Sequence, residues 1–217
     1  MKVLIDLTSL ADNFSGIERF ALSITKELIT DQSRSDIEFI LVFKNEVHKE
    51  FAAEQHNVKK IIVRGKNKLV FNQLQLPLKL AAIKANYYFF PAFPAPFFFF
   101  NRNAISAIHD VGCWDCPSKN RKYMTLYFKI MYRKAAFGHK NVVTVSQFSK
   151  NRISKILKKE PDEIAVIYDG LSDCFADFCY DKEQDMKAKG AYGLPEKYIL
   201  CLSTLEPRKN MRHAIDR

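Results

Sequence analysis

Residues 198–210 read YILCLSTLEPRKN. The apolar first half, residues 198–202, predicts a buried strand, and the polar residues after it predict a tight turn. Arg208 and Lys209 follow that turn, and a helix is expected to begin near Met211. Where a strand, a turn and a helix start meet at the carboxyl edge of an open α/β sheet, backbone N–H groups and cations can bind phosphate. A solvated basic turn explains the same residues equally well.

The rest of the chain alternates apolar strand patterns with helical ones. Strands are expected at residues 3–7, 37–43, 58–63, 86–90, 104–108, 142–145 and 164–167. Helices are expected at residues 16–28, 45–55, 69–84, 119–137 and 147–157. This alternation predicts an α/β fold, with a Rossmann-like, doubly wound and mainly parallel sheet.

Two of these helices carry a further expectation. Pro77 lacks a backbone N–H, so helix 69–84 is expected to kink or break there. Helix 119–137 is expected to turn four side chains toward the core: Tyr123, Leu126, Ile130 and Met131.

Charge and glycine mark a domain boundary near residues 181–197, a stretch that indicates an interdomain connection. We therefore expect one domain over residues 1–185 and the start of a second over residues 186–217.

Composition restricts the class of protein. The chain has 217 residues, of which 47% are hydrophobic, so it can build a large core. A net charge of +10 predicts an acidic partner: nucleic acid, an anionic membrane surface or a phosphorylated substrate. The first residues, MKVLIDLTSL, predict a strand and not a signal peptide. Without such a signal, the odd number of cysteines favours reduced thiols in a cytoplasmic protein.

Residues 87–100, YYFFPAFPAPFFFF, form the most aromatic stretch of the chain. The stretch is shorter than the ~18–20 residues of a membrane-spanning helix, and its prolines would break one. It predicts a buried strand followed by a Pro-rich loop with exposed aromatic side chains. Such side chains lie at a membrane interface or in a substrate groove, or they pack on a neighbouring domain.

Three residues lie where open α/β sheets place their ligands. Gly16 opens a helix after the first strand, where an anion can bind, although a lone glycine at that position can be purely structural. His109 follows the fifth strand and can bind a sugar hydroxyl or transfer a proton, or it can be satisfied by loop backbone. Ser146 is expected to cap a helix. No G-x-G-x-x-G or G-x-S-x-G pattern is present, which argues against a nicotinamide enzyme and a serine hydrolase.

The cysteines do not predict a metal or redox site. Cys113 and Cys116 form a C-x-x-C pair, but Cys174 and Cys179 are spaced too widely to complete a zinc site with them. The fifth cysteine, Cys201, lies in the predicted strand at residues 198–202.

Five segments together resemble the GT4 family of retaining glycosyltransferases, which have the GT-B fold of two facing Rossmann-like domains. They are SGIERF at residues 15–20, IHD at 108–110, VTVSQFS at 143–149, VIYDG at 166–170 and LSTLEPRKN at 202–210. Asp169 stands where the family usually has Asn, and Ser203 where it has Gly. By this resemblance, the chain is the N-terminal half of a GT-B fold plus the start of the second domain.

The resemblance also implies roles for individual residues. The N-terminal domain would receive the acceptor, and the C-terminal domain would hold a nucleotide-diphosphate sugar. The implied catalytic residue is His109, the implied donor-phosphate ligands are Gly16, Arg208 and Lys209, and the implied substrate ligands are Asp110 and Ser146. No metal and no cofactor beyond the donor co-substrate is implied, because the two cations neutralise the departing diphosphate.

One family element is missing from the sequence. The E-x7-E element that contacts the donor sugar belongs to the C-terminal domain, and the pairs Glu38/Glu46 and Glu46/Glu54 match its spacing only by chance. The expectation is therefore a chain with little activity alone, whose C-terminal domain is supplied in cis or by another chain. The implied acceptor is a glycan or a lipid-linked sugar at the inner face of the cytoplasmic membrane, where the protein would make peripheral contact.

Two other functions remain open. A binding module for an acidic glycan or glycolipid would explain the same composition without catalysis. A nucleic-acid-binding role is disfavoured, because no known nucleic-acid-binding motif accompanies the basic residues.

Overall fold

A seven-stranded parallel sheet organises the first of the two compact units into which the chain divides, Met1–Asp169 and Gly170–Arg217. The computed structural model describes residues 1–11, 15–31, 33, 35–116, 122–171, 175, 179–204 and 209–215. The strands are β1 (Lys2–Asp6), β2 (Glu38–Lys44), β3 (Val58–Val63), β4 (Tyr87–Phe90), β5 (Ala104–Ala107), β6 (Asn141–Thr144) and β7 (Ile164–Val166). Their order is β3-β2-β1-β4-β5-β6-β7, and every neighbouring pair is parallel. The prediction of a Rossmann-like α/β fold is confirmed.

Helices connect the strands as the alternation predicted. In the first unit they are α1 (Gly16–Thr30), α2 (Lys68–Val70), α3 (Leu76–Ala82), α4 (Gly112–Asp115), α5 (Lys122–Gly138) and α6 (Gln147–Leu157). A π-helical segment, Phe71–Gln75, joins α2 to α3, and 3₁₀ turns occupy Lys49–Phe51 and Pro161–Glu163. The second unit contains α7 (Lys182–Tyr192), which lies inside the predicted connection, and α8 (Met211–Ile215).

The core lies on both faces of the sheet, because alternate residues of each strand point to opposite sides. On one face Ile5 packs in a cluster with Phe20 of α1. On the other face Leu4 packs in a cluster with Phe71 of the π-helical segment and Leu80 of α3. Both faces are covered, so the strands read as continuous apolar runs.

Serines fix the starts of the two best-predicted helices. The Ser15 N–H donates to Glu18 Oε2 at 2.7 Å, one half of a capping box at the start of α1. Ser146 Oγ accepts the Ser149 N–H at 3.0 Å, which confirms Ser146 as the N-cap of α6.

The expected inward face of α5 is wrong for three of its four residues. Met131 is buried, but Tyr123, Leu126 and Ile130 are exposed, Tyr123 by 74%. The helix instead packs through Met131 and the small residues Ala135 and Ala136, which let its backbone approach the sheet. Its larger apolar side chains therefore point away from the core.

Three other expectations need correction. The predicted helix at 45–55 is only the 3₁₀ turn Lys49–Phe51, since Asn45 adopts a left-handed conformation with φ of 63° just after β2. The expected break near Pro77 takes the form of the preceding π-helical segment, while Pro77 itself lies in the first turn of α3, where its missing N–H is tolerated. Residues 198–202 form no strand, because no described residue of the second unit offers a strand to pair with them.

Candidate functional site

A cavity of about 410 Å³ opens at the carboxyl edge of the sheet. Because the strands are parallel, the residues after β1 and β4 meet at this edge, where open α/β sheets bind ligands. The first wall is formed by residues 8–11 and by Asp6 at the end of β1. The opposite wall comes from Gln73 of the π-helical segment, the loop after β4, and α5 through Tyr127 and Phe128. Its volume lies within the range of small-molecule sites.

The polar groups of the cavity are few. Asp6 Oδ1 accepts the Thr8 N–H at 3.0 Å, and burial raises the pKa of the Asp6 carboxyl. Ser9 Oγ is buried and has no hydrogen-bond partner among the described residues. Glu18 and Lys44 add one charge of each sign. A mixture of carboxylate, hydroxyl and aromatic surface suits a ligand that carries hydroxyl groups.

Gln73 holds two walls of the cavity together. Its Nε2 donates to Tyr127 Oη at 2.8 Å, and its Oε1 accepts the Phe97 N–H at 3.0 Å. On the same side, Lys134 Nζ donates to the carbonyl oxygens of Pro96, at 2.8 Å, and Phe99. Burial lowers the pKa of Lys134 to about 8. These contacts fix the Pro-rich loop against α5, so the cavity is largely pre-formed.

His109 lies next to the loop that lines this cavity. Its Nε2 is 2.9 Å from the Pro91 carbonyl oxygen, which can only accept, so Nε2 carries the proton and Nδ1 is left as an acceptor in the neutral ring. The Phe20 ring meets the imidazole edge-on at a centroid distance of 5.0 Å. Burial lowers the pKa of His109, and the nearby carboxylates of Asp169 and Asp110 only partly oppose this shift. The imidazole is therefore neutral at pH 7.

The other residues implied by the resemblance surround His109 without touching the cavity. Asp110 is exposed, and its Oδ1 accepts the Gly112 N–H at 2.8 Å at the start of α4. Gly16 is exposed at the start of α1, and a Cβ added there would meet nothing within 4 Å among the described residues. Ser146 caps α6. The roles of these residues in binding stay predictions.

The two predicted phosphate ligands near the end of the chain belong to the second unit. Lys209 is exposed there, one residue before Asn210, whose backbone φ is 50°. Arg208 lies outside the described residues.

Sequence reasoning missed the residues that line the cavity. Asp6 could have been found, because a carboxylate directly after an apolar strand lies at the carboxyl edge of the sheet. Gln73 and Tyr127 are 54 residues apart, and no local pattern links them.

Across the described part of the chain, no group of three His, Cys, Asp or Glu side chains could hold a metal ion. Cys113 and Cys116 are free thiols, and burial raises the pKa of Cys113 to about 11. This thiol is therefore not a ready nucleophile at neutral pH. None of the described helices has both the length and the hydrophobicity needed to cross a bilayer.

The fold and its edge cavity define a Rossmann-like ligand-binding unit, and comparison with known proteins relates the chain to glycosyltransferases. Over 111 residues, 50% of the chain, it is 26% identical to O-antigen chain mannosyltransferase B of Escherichia coli, and the match covers 28% of that protein. All of the chain superposes on 56% of Anabaena HepE, solved in complex with UDP-glucose, with a TM-score of 0.65 and 15% identity. That second likeness shows the fold alone. No family profile matches the chain.

Asp6→Asn should stabilise the protein at neutral pH. Because burial raises the pKa of Asp6 above its ordinary value of 3.8, the native state holds this proton more tightly than the unfolded state. Stability is therefore lost as the pH rises from 3.8 through the raised pKa, and an amide escapes this loss. We expect the Tm at pH 7.5 to rise by a few degrees. Below the ordinary value of 3.8 the difference should vanish. Thermal unfolding at both pH values measures it, and an equal gain at both would contradict the assignment.

Proposed function

We propose that this chain is the acceptor-side domain, with the beginning of the donor domain, of a retaining glycosyltransferase of the GT4 type. The observation that carries the proposal is the pre-formed cavity at the carboxyl edge of the sheet, with neutral His109 beside it. The sequence similarity to a mannosyltransferase and the shared fold with HepE support the same class.

The cavity receives the acceptor in this proposal. Asp6, with its raised pKa, and Ser9 can exchange hydrogen bonds with sugar hydroxyls, while Phe93 and Phe128 stack near one another and offer apolar surface to a sugar ring. A hydroxyl of the acceptor attacks the anomeric carbon of the donor sugar, and the bond from that carbon to the diphosphate breaks. The hydroxyl proton leaves with the diphosphate, and the anomeric configuration is retained.

The donor is a nucleotide-diphosphate sugar, and the UDP-glucose bound by HepE supports this substrate class. Gly16 at the start of α1 offers a backbone N–H to the diphosphate, and Arg208 and Lys209 add positive charge to neutralise it as it departs. His109 lies beside the transferred sugar. The proposed location is the cytoplasm, at the inner face of the membrane.

Calorimetric titration with UDP-, GDP- and ADP-sugars, alone and with short oligosaccharide acceptors, tests the proposal. We expect oligosaccharide binding that Gln73→Ala weakens at least tenfold, because this change frees two walls of the cavity. The matched control is Gln55→Ala, which removes a glutamine that does not line the cavity. Transfer of a radiolabelled sugar to the bound oligosaccharide, with the product linkage read by NMR, then establishes retention. If no oligosaccharide binds, or if the product is inverted, the proposal is wrong. Saturable glycan binding without transfer in every form of the protein would favour a binding module.

A further inference from the structure

Six apolar side chains form an exposed surface on the first unit, here called the aromatic face. They are Leu74 on the π-helical segment, Phe97, Phe98 and Phe100 on the Pro-rich loop, and Tyr123 and Leu126 on α5. Phe100 is 76% exposed and Tyr123 74%. So many large apolar side chains in water mark an interaction site on a monomeric unit.

The three elements that carry the aromatic face are joined to one another by hydrogen bonds. Gln73 links the π-helical segment to Tyr127 of α5 and to the backbone of Phe97. Lys134 of α5 binds the loop carbonyls of Pro96 and Phe99, and its Nζ lies 5.2 Å from the Phe100 ring centroid. The exposed side chains therefore belong to one continuous and rigidly held surface.

The charge of the chain is concentrated in the same part of the sequence. Residues 64–159 contain 18 of the 34 basic residues but only Asp110 and Asp115 of the 24 acidic ones. This stretch, which carries every residue of the aromatic face, has a net charge of +16, and the remainder of the chain has −6. Lys122 and Arg133 of α5, both exposed, place part of this charge beside the exposed aromatic side chains.

We propose that the aromatic face docks the first unit on an anionic lipid bilayer. Phenylalanine, tyrosine and leucine side chains enter the boundary between headgroups and acyl chains, while the surrounding lysines and arginines attract anionic headgroups. Neither feature suffices alone for stable attachment, and here the two coincide on one surface. The inference stands independently of the proposed sugar transfer.

The orientation has a consequence that does rest on the proposed function. Phe93 and Met124, which line the cavity, are themselves exposed and lie on the two elements that carry most of the aromatic face. The cavity would then open close to the bilayer surface, and a membrane-anchored acceptor could reach it without leaving the lipid.

The charge distribution decides between the bilayer and other occupants. A second copy of the chain would bring one stretch of +16 against another, which costs electrostatic free energy. Nucleic acid would satisfy the cations but would leave most of the exposed aliphatic and aromatic side chains unused.

Co-sedimentation with vesicles tests the proposal. The protein should bind vesicles of phosphatidylcholine mixed with phosphatidylglycerol, bind pure phosphatidylcholine at least tenfold more weakly, and be released in part by high salt. The double variant Phe98→Ser, Tyr123→Ser should bind the mixed vesicles at least tenfold more weakly. Phe148→Ser, which removes a 72% exposed aromatic side chain from α6, is the matched control and should bind as the wild type does.

Charge reversal provides a second pair of variants. Lys122→Glu on α5 should weaken vesicle binding more than Lys59→Glu on β3, although the net charge changes equally. Equal losses in the two lysine variants, equal losses in Phe148→Ser and the double variant, or equal binding to both kinds of vesicle would each overturn the proposal. So would a double variant that loses self-association in lipid-free solution, because the face would then pair two copies of the chain. Unchanged circular dichroism and Tm of each variant establish that the loss is not unfolding.

Discussion

Phe71→Ala should lower the free energy of unfolding by about 3–5 kcal/mol, which is the range for removing a buried phenylalanine. The Phe71 side chain is fully buried, and Lys44 Nζ lies over its ring at 4.9 Å from the centroid. Gly65 packs so closely that a Cβ added there would lie 2.5 Å from Phe71 Cδ2. Backbone surrounds this part of the ring and cannot readily collapse into the space left by alanine, so the upper half of the range is expected.

Urea unfolding at equilibrium measures this effect. Leu74→Ala is the matched control, because Leu74 lies on the same π-helical segment but is 52% exposed, and it should cost less than about 1 kcal/mol. A loss below about 1 kcal/mol in Phe71→Ala would show that the segment repacks. The variant should also weaken oligosaccharide binding, since Phe71 anchors the segment that carries Gln73 in the cavity wall.

His109→Ala should lower kcat for sugar transfer by about 100- to 1,000-fold, as expected for a residue at the reaction centre. The Pro91 carbonyl fixes the protonated Nε2, so Nδ1 remains an acceptor toward a substrate hydroxyl. Because burial lowers the pKa of His109, the neutral form persists below the ordinary value of 6.5. The acid limb of the kcat–pH profile should therefore lie below pH 6.5.

Initial rates in the form of the protein that transfers sugar provide the measurement. His56→Ala removes an exposed histidine from the loop before β3 and should retain the wild-type kcat. If His109→Ala raised KM but left kcat unchanged, His109 would be a binding residue only. A wild-type acid limb above pH 6.5 would contradict the neutral imidazole.

The sequence predicted the sheet well because buried parallel strands leave an unambiguous signal. The expected bounds of β3 match the observed ones, and α6 was predicted together with its Ser146 cap. The failures occurred where a contact in the folded chain decides the outcome. The buried side of α5 uses Ala135 and Ala136, which carry a weaker hydrophobic signal than the exposed Tyr123 and Leu126.

The candidate site divides in the same way. His109 and Asp6 lie directly after strands, so their position at the carboxyl edge follows from the local sequence and the parallel sheet. The clamp between Gln73 and Tyr127 depends on how the helices pack over the sheet, and no spacing in the sequence encodes that. A single sequence therefore locates the edge of the site more readily than its walls.

The central position of β1 sets the order in which the protein can be made. β1 pairs with β2 on one side and with β4 on the other, and the Lys2 N–H donates to Asn86 Oδ1, 84 residues further along. While a ribosome is still synthesising residues 64–86, the nascent chain can form only three strands, and one side of β1 remains unpaired. An open apolar strand edge is a site for aggregation. The emerging chain thus needs protection by chaperones until Tyr87–Phe90 leaves the exit tunnel and closes that edge.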